Sequence, residues 1–350
     1  MTFPQPHLCN LTKPPKIIVI FTIICYNNNN ISPRPLTEAH LGEFCCGGKM
    51  LKPFKTIEEQ IEILESRGLT IEDKSAAEQF LLENNYYRIS GYSLTLRTND
   101  IFHEGATFDN IIDIYNFDHN LRHILLKYTE IIEVKLKSIF AYKFSEKYGA
   151  TGYLNPNNFT DQVKHQEIIL KAEKLKIQRL PHEAYLKHFI NDLQENVPLW
   201  AYVDLFSISD ISLLYKISSD IIKKSIVPAF NIEEPKYKLL ENFMHSITIL
   251  RNLCAHDSRI YNRLFEQKPK LSSKEKELLL VKEDGNVDNE HLFSFILIMK
   301  RLLNQTQFES MLVEIASLNQ KINFVNMAYY GFPNDWQNLL LTTRNKLGES

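Results

Sequence analysis

The chain has 350 residues, 44% of them hydrophobic and 23% charged, with a formal net charge of −2. That length and composition belong to a folded protein with a sizeable core. The near-neutral charge excludes a global polycation, so any nucleic-acid contact must come from a local basic patch.

The first 49 residues differ in texture from the rest. They hold the apolar run Ile17–Cys25 followed by Tyr26 and four asparagines. Nine apolar residues are about half of what a membrane-spanning helix needs. Lys13 and Lys16 give the run a signal-peptide flavour, but no small-residue cleavage site follows it. Residues 1–49 are therefore expected to be a disordered or non-native upstream extension, with the native start near Met50. Four of the five cysteines lie in this stretch, and none forms a Cys-x-x-Cys pair. The cysteine pattern argues against a zinc site and for a reducing, cytoplasmic compartment.

From Met50 the pattern becomes helical, as the low glycine and proline content also favours. Residues 50–105 read as an N-terminal helical subdomain. Thr56 caps a helix carrying Ile57, Ile61 and Leu64 that stops at Gly68, and Asp73 caps a second. Asn84–Tyr92 follows with three tyrosines and Arg88. Residues 106–350 read as the main helical domain. Its longest periodic stretch runs from Thr107 to Tyr148 and places Asp118, Arg122, Glu130 and Glu133 at inward or flanking positions. His119 and His123 have metal-compatible spacing but lack a third ligand, so no metal is expected. Further helices are expected over 161–195, 197–216, 218–229, 235–264, 289–303 and 305–319. An aromatic turn around Tyr329–Trp336 and a last helix complete the chain.

The string Arg251-Asn-Leu-Cys-Ala-His-Asp-Ser-Arg-Ile-Tyr-Asn-Arg263 carries the chemistry. On a continuous helix over 235–264, Asn252, His256, Arg259 and Arg263 share one face, and His245 joins it one heptad earlier. Arg holds phosphate through a rigid fork of donors, and His exchanges protons near neutral pH. An ordinary solvated helix face is the plain alternative. Arg251 and His256 lie about 140° apart around a regular helix, a separation that a site built between two copies would ease.

Four segments in order, Asn85–Tyr92, Phe117–Arg122 with Ile132-Glu133, Val197–Trp200 and Leu250–Arg263, resemble the Abi family of bacterial abortive-infection proteins, of the AbiD and AbiF kind. The tail Gly331–Trp336 resembles that family's C-terminal turn. The likeness covers residues 53–340, departing at Asp204, where Glu is expected, and at Tyr261, where Trp is usual.

Through that family the chain is similar to the HEPN superfamily. The resemblance implies an all-α, HEPN-like helical bundle with additional N-terminal and C-terminal helices. It also implies a metal-independent, cofactor-free endoribonuclease toxin acting in phage defence. In that reading Arg251 and His256 are the catalytic pair, Asn252 orients the site, and Glu133 holds the Arg or the His. A plain surface salt bridge is the other reading of Glu133. Arg259, Arg263, His245 and Arg122 would contact the phosphates of the RNA. The partners implied are an RNA substrate, a second copy in a homodimer and an RNA or protein antitoxin, with no membrane. The competing readings are a non-catalytic RNA- or nucleotide-binding module and a protein-interaction component of a toxin–antitoxin or defence system.

Overall fold

A computed structural model describes residues 53–342. The expectations for residues 1–49 lie outside the described residues. The described chain is all-α apart from one short two-stranded hairpin, as expected.

Helix α1 (Ile57–Ser66) starts at a capping box in which Thr56 and Glu59 satisfy each other's backbone N–H groups. It ends before Gly68, whose φ of 91° suits a residue without Cβ. Asp73 caps α2 (Lys74–Asn84). Asn85 then takes a positive φ, and its side chain accepts from the Tyr87 N–H to start α3 (Tyr86–Ser90). A two-residue hairpin, β1 (Arg97–Thr98) with β2 (Ile101–Phe102), leads to the central element.

That element is α4 (Phe108–Tyr148), 41 residues long and opened by a Thr107–Asn110 capping box. Its buried stripe includes Phe117, Leu121, Leu125, Ile132, Leu136 and Phe140, and within it Asp118, Arg122, Thr129 and Glu133. Polar residues inside a core stripe need partners; Thr129 finds its own in the Leu126 carbonyl of the same helix, and those of Asp118, Arg122 and Glu133 define the site described below.

The expected helix over 161–195 breaks into α5 (Gln162–Arg179) and the short α6 (Ala184–Lys187), which runs into a wide π-type turn over His188–Asp192. Pro181 sits at the break, and proline cannot donate to the preceding turn. Next come α7 (Leu199–Tyr202), α8 (Ile208–Ile217) and α9 (Asp220–Ile226), then α10 (Tyr237–Ala255). The single-turn α11 (Ser273–Lys276) lies between the helices expected over 235–264 and 289–303. Then follow α12 (Leu292–Leu302), α13 (Gln305–Lys321) and α14 (Trp336–Thr342).

Helices α7, α8, α9, α10 and α13 all pack on α4. Helix α12 is buried almost all round, from Leu292 to Met299. Among the described residues no helix is long and apolar enough to cross a membrane.

Candidate functional site

The helix expected over 235–264 stops nine residues early, at Ala255. His256 is its C-cap. Asp257 follows at φ 53°, the left-handed region. The Asp257 N–H donates to the Cys254 carbonyl, and the Ser258 N–H to that of Leu253. This is the Schellman arrangement, normally built on glycine. The expected shared face is therefore corrected. His245, Asn252 and His256 lie along one side of α10, but Arg259 and Arg263 belong to the turn beyond it. The break occurs because residues 257–261 have buried partners that a continued helix could not reach.

Those partners form one network. The Asp257 carboxylate accepts from Arg88 through one oxygen and from Arg122 through the other, and Arg88 also donates to the Asp257 carbonyl at 2.8 Å. Arg122 in turn pairs with Asp118, and both side chains are fully buried. Asp118 further accepts from the Tyr92 hydroxyl at 2.9 Å, the Tyr330 hydroxyl at 3.0 Å and the Ile260 N–H at 3.2 Å. Arg122 is thus not placed to contact RNA phosphates. Its guanidinium is committed to Asp118, Tyr92 and Asp257 inside the core. Arg259 is half-buried against Gly91 and donates to the Tyr261 carbonyl, while Arg263 donates to the Arg259 carbonyl at 3.2 Å.

Closer to the α10 terminus, Arg251 meets Glu133 across the α4–α10 interface, with Nε 3.5 Å from Oε2. The other carboxylate oxygen takes Lys137 Nζ at 2.8 Å. Glu133 is nearly buried and the Arg251 side chain is about 29% exposed; the pair is an ion contact, with Arg251 Nε buried and without a hydrogen-bond partner. His256 and His245 are exposed, and Asn252 is half-buried. The His256 imidazole has no hydrogen-bond or ion-pair partner among the described residues.

A family model described as Abi-like protein matches residues 79–262, just over half of the chain. The chain belongs to the Abi-like protein family. No curated protein matches it, and no solved structure does. Membership ties the chain to abortive infection, a defence against phage. The Abi-like region spans the network except for Tyr330, and it contains Glu133, Arg251 and His256.

Electrostatics separate the two halves of this Abi-like site. Burial pushes the Asp257 carboxyl up, but Arg122 and Arg88 more than offset it and hold it below its ordinary value. Burial raises Asp118 although Arg122, Tyr92, Ile260 and Tyr330 all favour its charged form. His119 lies 3.7 Å from Asp257 and packs against His123 with the rings tilted at 50° and their centres 4.4 Å apart. Burial, His123 and Arg122 lower its pKa. Burial pushes the Cys254 thiol up to about 12, which leaves it a poor nucleophile.

The sequence reading picked out Arg251, His256 and Glu133, and the fold brings Glu133 to Arg251. It missed Arg88, Asp118 and Asp257 as the group that shapes the turn. The Asp118–Arg122 pair, four residues apart inside an apolar stripe, was the available signal for one of these positions.

Proposed function

We propose that this Abi-like protein is an endoribonuclease of the HEPN kind that acts in phage defence. Arg251 and His256 are its catalytic pair, and no metal is required. The observation that carries the reading is Arg251 paired with nearly buried Glu133, five residues before an exposed, partner-free His256.

RNA supplies its own nucleophile. The 2′-hydroxyl attacks the adjacent phosphorus and gives its proton to a neutral imidazole, while the P–O5′ bond breaks and the leaving oxygen takes a proton. The products are a 2′,3′-cyclic phosphate and a 5′-hydroxyl. Arg251 stabilises charge on the phosphorane. Glu133 positions Arg251, and Asn252 orients the substrate. His245, Arg259 and Arg263 steer its backbone. The angular separation of Arg251 and His256 is met by a homodimer with the α10 ends near the two-fold axis, where one imidazole accepts a proton and the other donates.

The same separation favours the second reading, an RNA-binding module without catalysis. The two are distinguished by incubating the purified chain with labelled RNA in EDTA. Cleavage leaving 2′,3′-cyclic phosphate ends is expected. His256→Ala should lower the rate at least ~10²-fold with an unchanged melting temperature, because the side chain is exposed. Cleavage by His256→Ala at the wild-type rate would remove the ribonuclease assignment.

A further inference from the structure

Beside Glu133, α4 and the α7 segment enclose a groove of about 790 Å³. Val134, Ser138, Ala141 and Tyr142 line one wall, at the spacing of a single helix face, and Trp200 and Asp204 line the other. Val134, Tyr142 and Trp200 are 62%, 64% and 58% exposed. Neither aromatic packs on another ring among the described residues. Ser145 Oγ, also at the groove, is buried without a hydrogen-bond partner. Lys137 joins the groove to the candidate catalytic site, because it lines the first and pairs with Glu133 of the second.

We propose that this groove binds an unpaired guanine base of the RNA strand, next to the phosphate handled by Arg251. The proposal rests on the ribonuclease reading for the identity of the strand, but its own chemistry is local. Bases released from pairing stack on exposed aromatic faces, here Trp200 and the face of Tyr142 opposite the Lys143 ammonium, which lies 5.2 Å from the ring centre. The groove's polar lining selects among them. The Asp204 carboxylate is exposed and only accepts hydrogen bonds. Guanine offers it two adjacent donors, N1–H and the 2-amino group, whereas uracil offers one imide N–H and adenine a single amino group.

Charge fits the same division. Lys137 lies at the Arg251 side, where the backbone phosphate would be. Glu146, nine residues or ~14 Å further along α4, is already paired with Lys143 at 2.9 Å. An apolar helix from another molecule fits less well, because it would bury the exposed Asp204 carboxylate without a partner.

The two tryptophans make the test direct. Trp336 is buried at 3% exposure and gives a constant background, so base stacking is read from Trp200. The full chain carrying His256→Ala, which prevents turnover, is titrated in EDTA with a uridine heptamer containing one central guanosine and with the all-uridine heptamer. Trp200 emission should be quenched by the guanosine oligomer at roughly ten-fold lower concentration. Asp204→Asn should erase that preference. Tyr142→Ala should weaken quenching about ten-fold, and Tyr142→Phe should restore it.

An emission that does not respond, or a preference that survives Asp204→Asn, overturns the proposal. So does a blue shift that grows with protein concentration alone, which would give the groove to a second copy. Absence of cleavage by the unsubstituted chain, with quenching intact, would sink the ribonuclease reading and keep the groove. His256-dependent cleavage with Trp200 silent would do the reverse.

Discussion

The guanidinium of Arg122 meets the carboxylate of Asp257 across 135 positions of sequence. The first belongs to the N-terminal half of the longest helix, and the second to the turn that ends α10. Arg88 grips the same carboxylate from α3. Three separate segments therefore agree on where α10 stops, and His256 is placed by that agreement.

Asp257 has two roles that substitution can separate. Asn tolerates the left-handed region nearly as well as Asp does but brings no charge, whereas Ala loses both features. Asp257→Asn should lower the unfolding free energy by about 1–3 kcal/mol. Asp257→Ala should cost roughly 1 kcal/mol more. Denaturant titration of the three chains decides, and equal stability of the two variants would show that the backbone conformation carries no cost.

Glu133 should act through Arg251 rather than on RNA. Glu133→Gln leaves Lys137 and Arg251 facing each other without their anion, so cleavage should fall at least ~10-fold and stability by about 1–3 kcal/mol. In an Arg251→Ala background the same substitution should lower kcat/KM no further, because the two residues work as a unit. Additive losses would mean that Glu133 acts independently of the arginine.

Gly91 leaves room for Arg259. A Cβ at position 91 would lie 3.1 Å from Arg259 Nε and 3.3 Å from its Cδ. Gly91→Ala should cost about 1 kcal/mol by overpacking. That cost should vanish in Arg259→Ala, where the clash is gone. A thermal melt of the double variant is the check.

Stability should fall as the solution is acidified below neutrality. His165 is buried, its Nε2 lies 2.7 Å from the Tyr153 carbonyl, and its Nδ1 has no partner. Burial lowers its pKa despite that bond, and burial and nearby cations lower that of His119. Folded values below the unfolded ones mean that the unfolded chain binds more protons in between. Unfolding free energy should therefore be flat above about pH 6.5 and decline below it, by at most about 1.4 kcal/mol per pH unit for each histidine. His165→Gln should flatten the decline. Asp257 adds a second loss with the same sign below about pH 4, as its depressed carboxyl is protonated. Urea titrations at half-unit pH steps would expose either window.

The all-α architecture was legible because caps and apolar periodicity agree: Thr56, Asp73 and Thr107 start helices where expected, and α4 ends before Gly149 as its pattern indicates. The end of α10 was not legible. Nothing local in Cys-Ala-His-Asp-Ser breaks a helix, and aspartate at a left-handed cap is chosen by Arg88 and Arg122, both distant in sequence. Arg122 was misread for the same reason. Its charge suggested phosphate, while its position in a buried stripe pointed inward. The groove at Trp200 could not be read from α4 alone, since its far wall comes from a segment some sixty residues later.

Helix α4 also works as a ruler. Arg122 and Glu133 are eleven residues apart, which is three turns, about 16 Å and within ~20° of the same direction. The clamp on Asp257 and the anchor of Arg251 are thus held in phase by uninterrupted helix, and the groove follows directly. One residue inserted between 123 and 132 would rotate the far half by about 100°. Asp257 would keep its partner, but Arg251 would face the wrong side of the rod and the groove would turn away with it. What this stretch of α4 conserves in the working molecule is a count of residues as much as their identities.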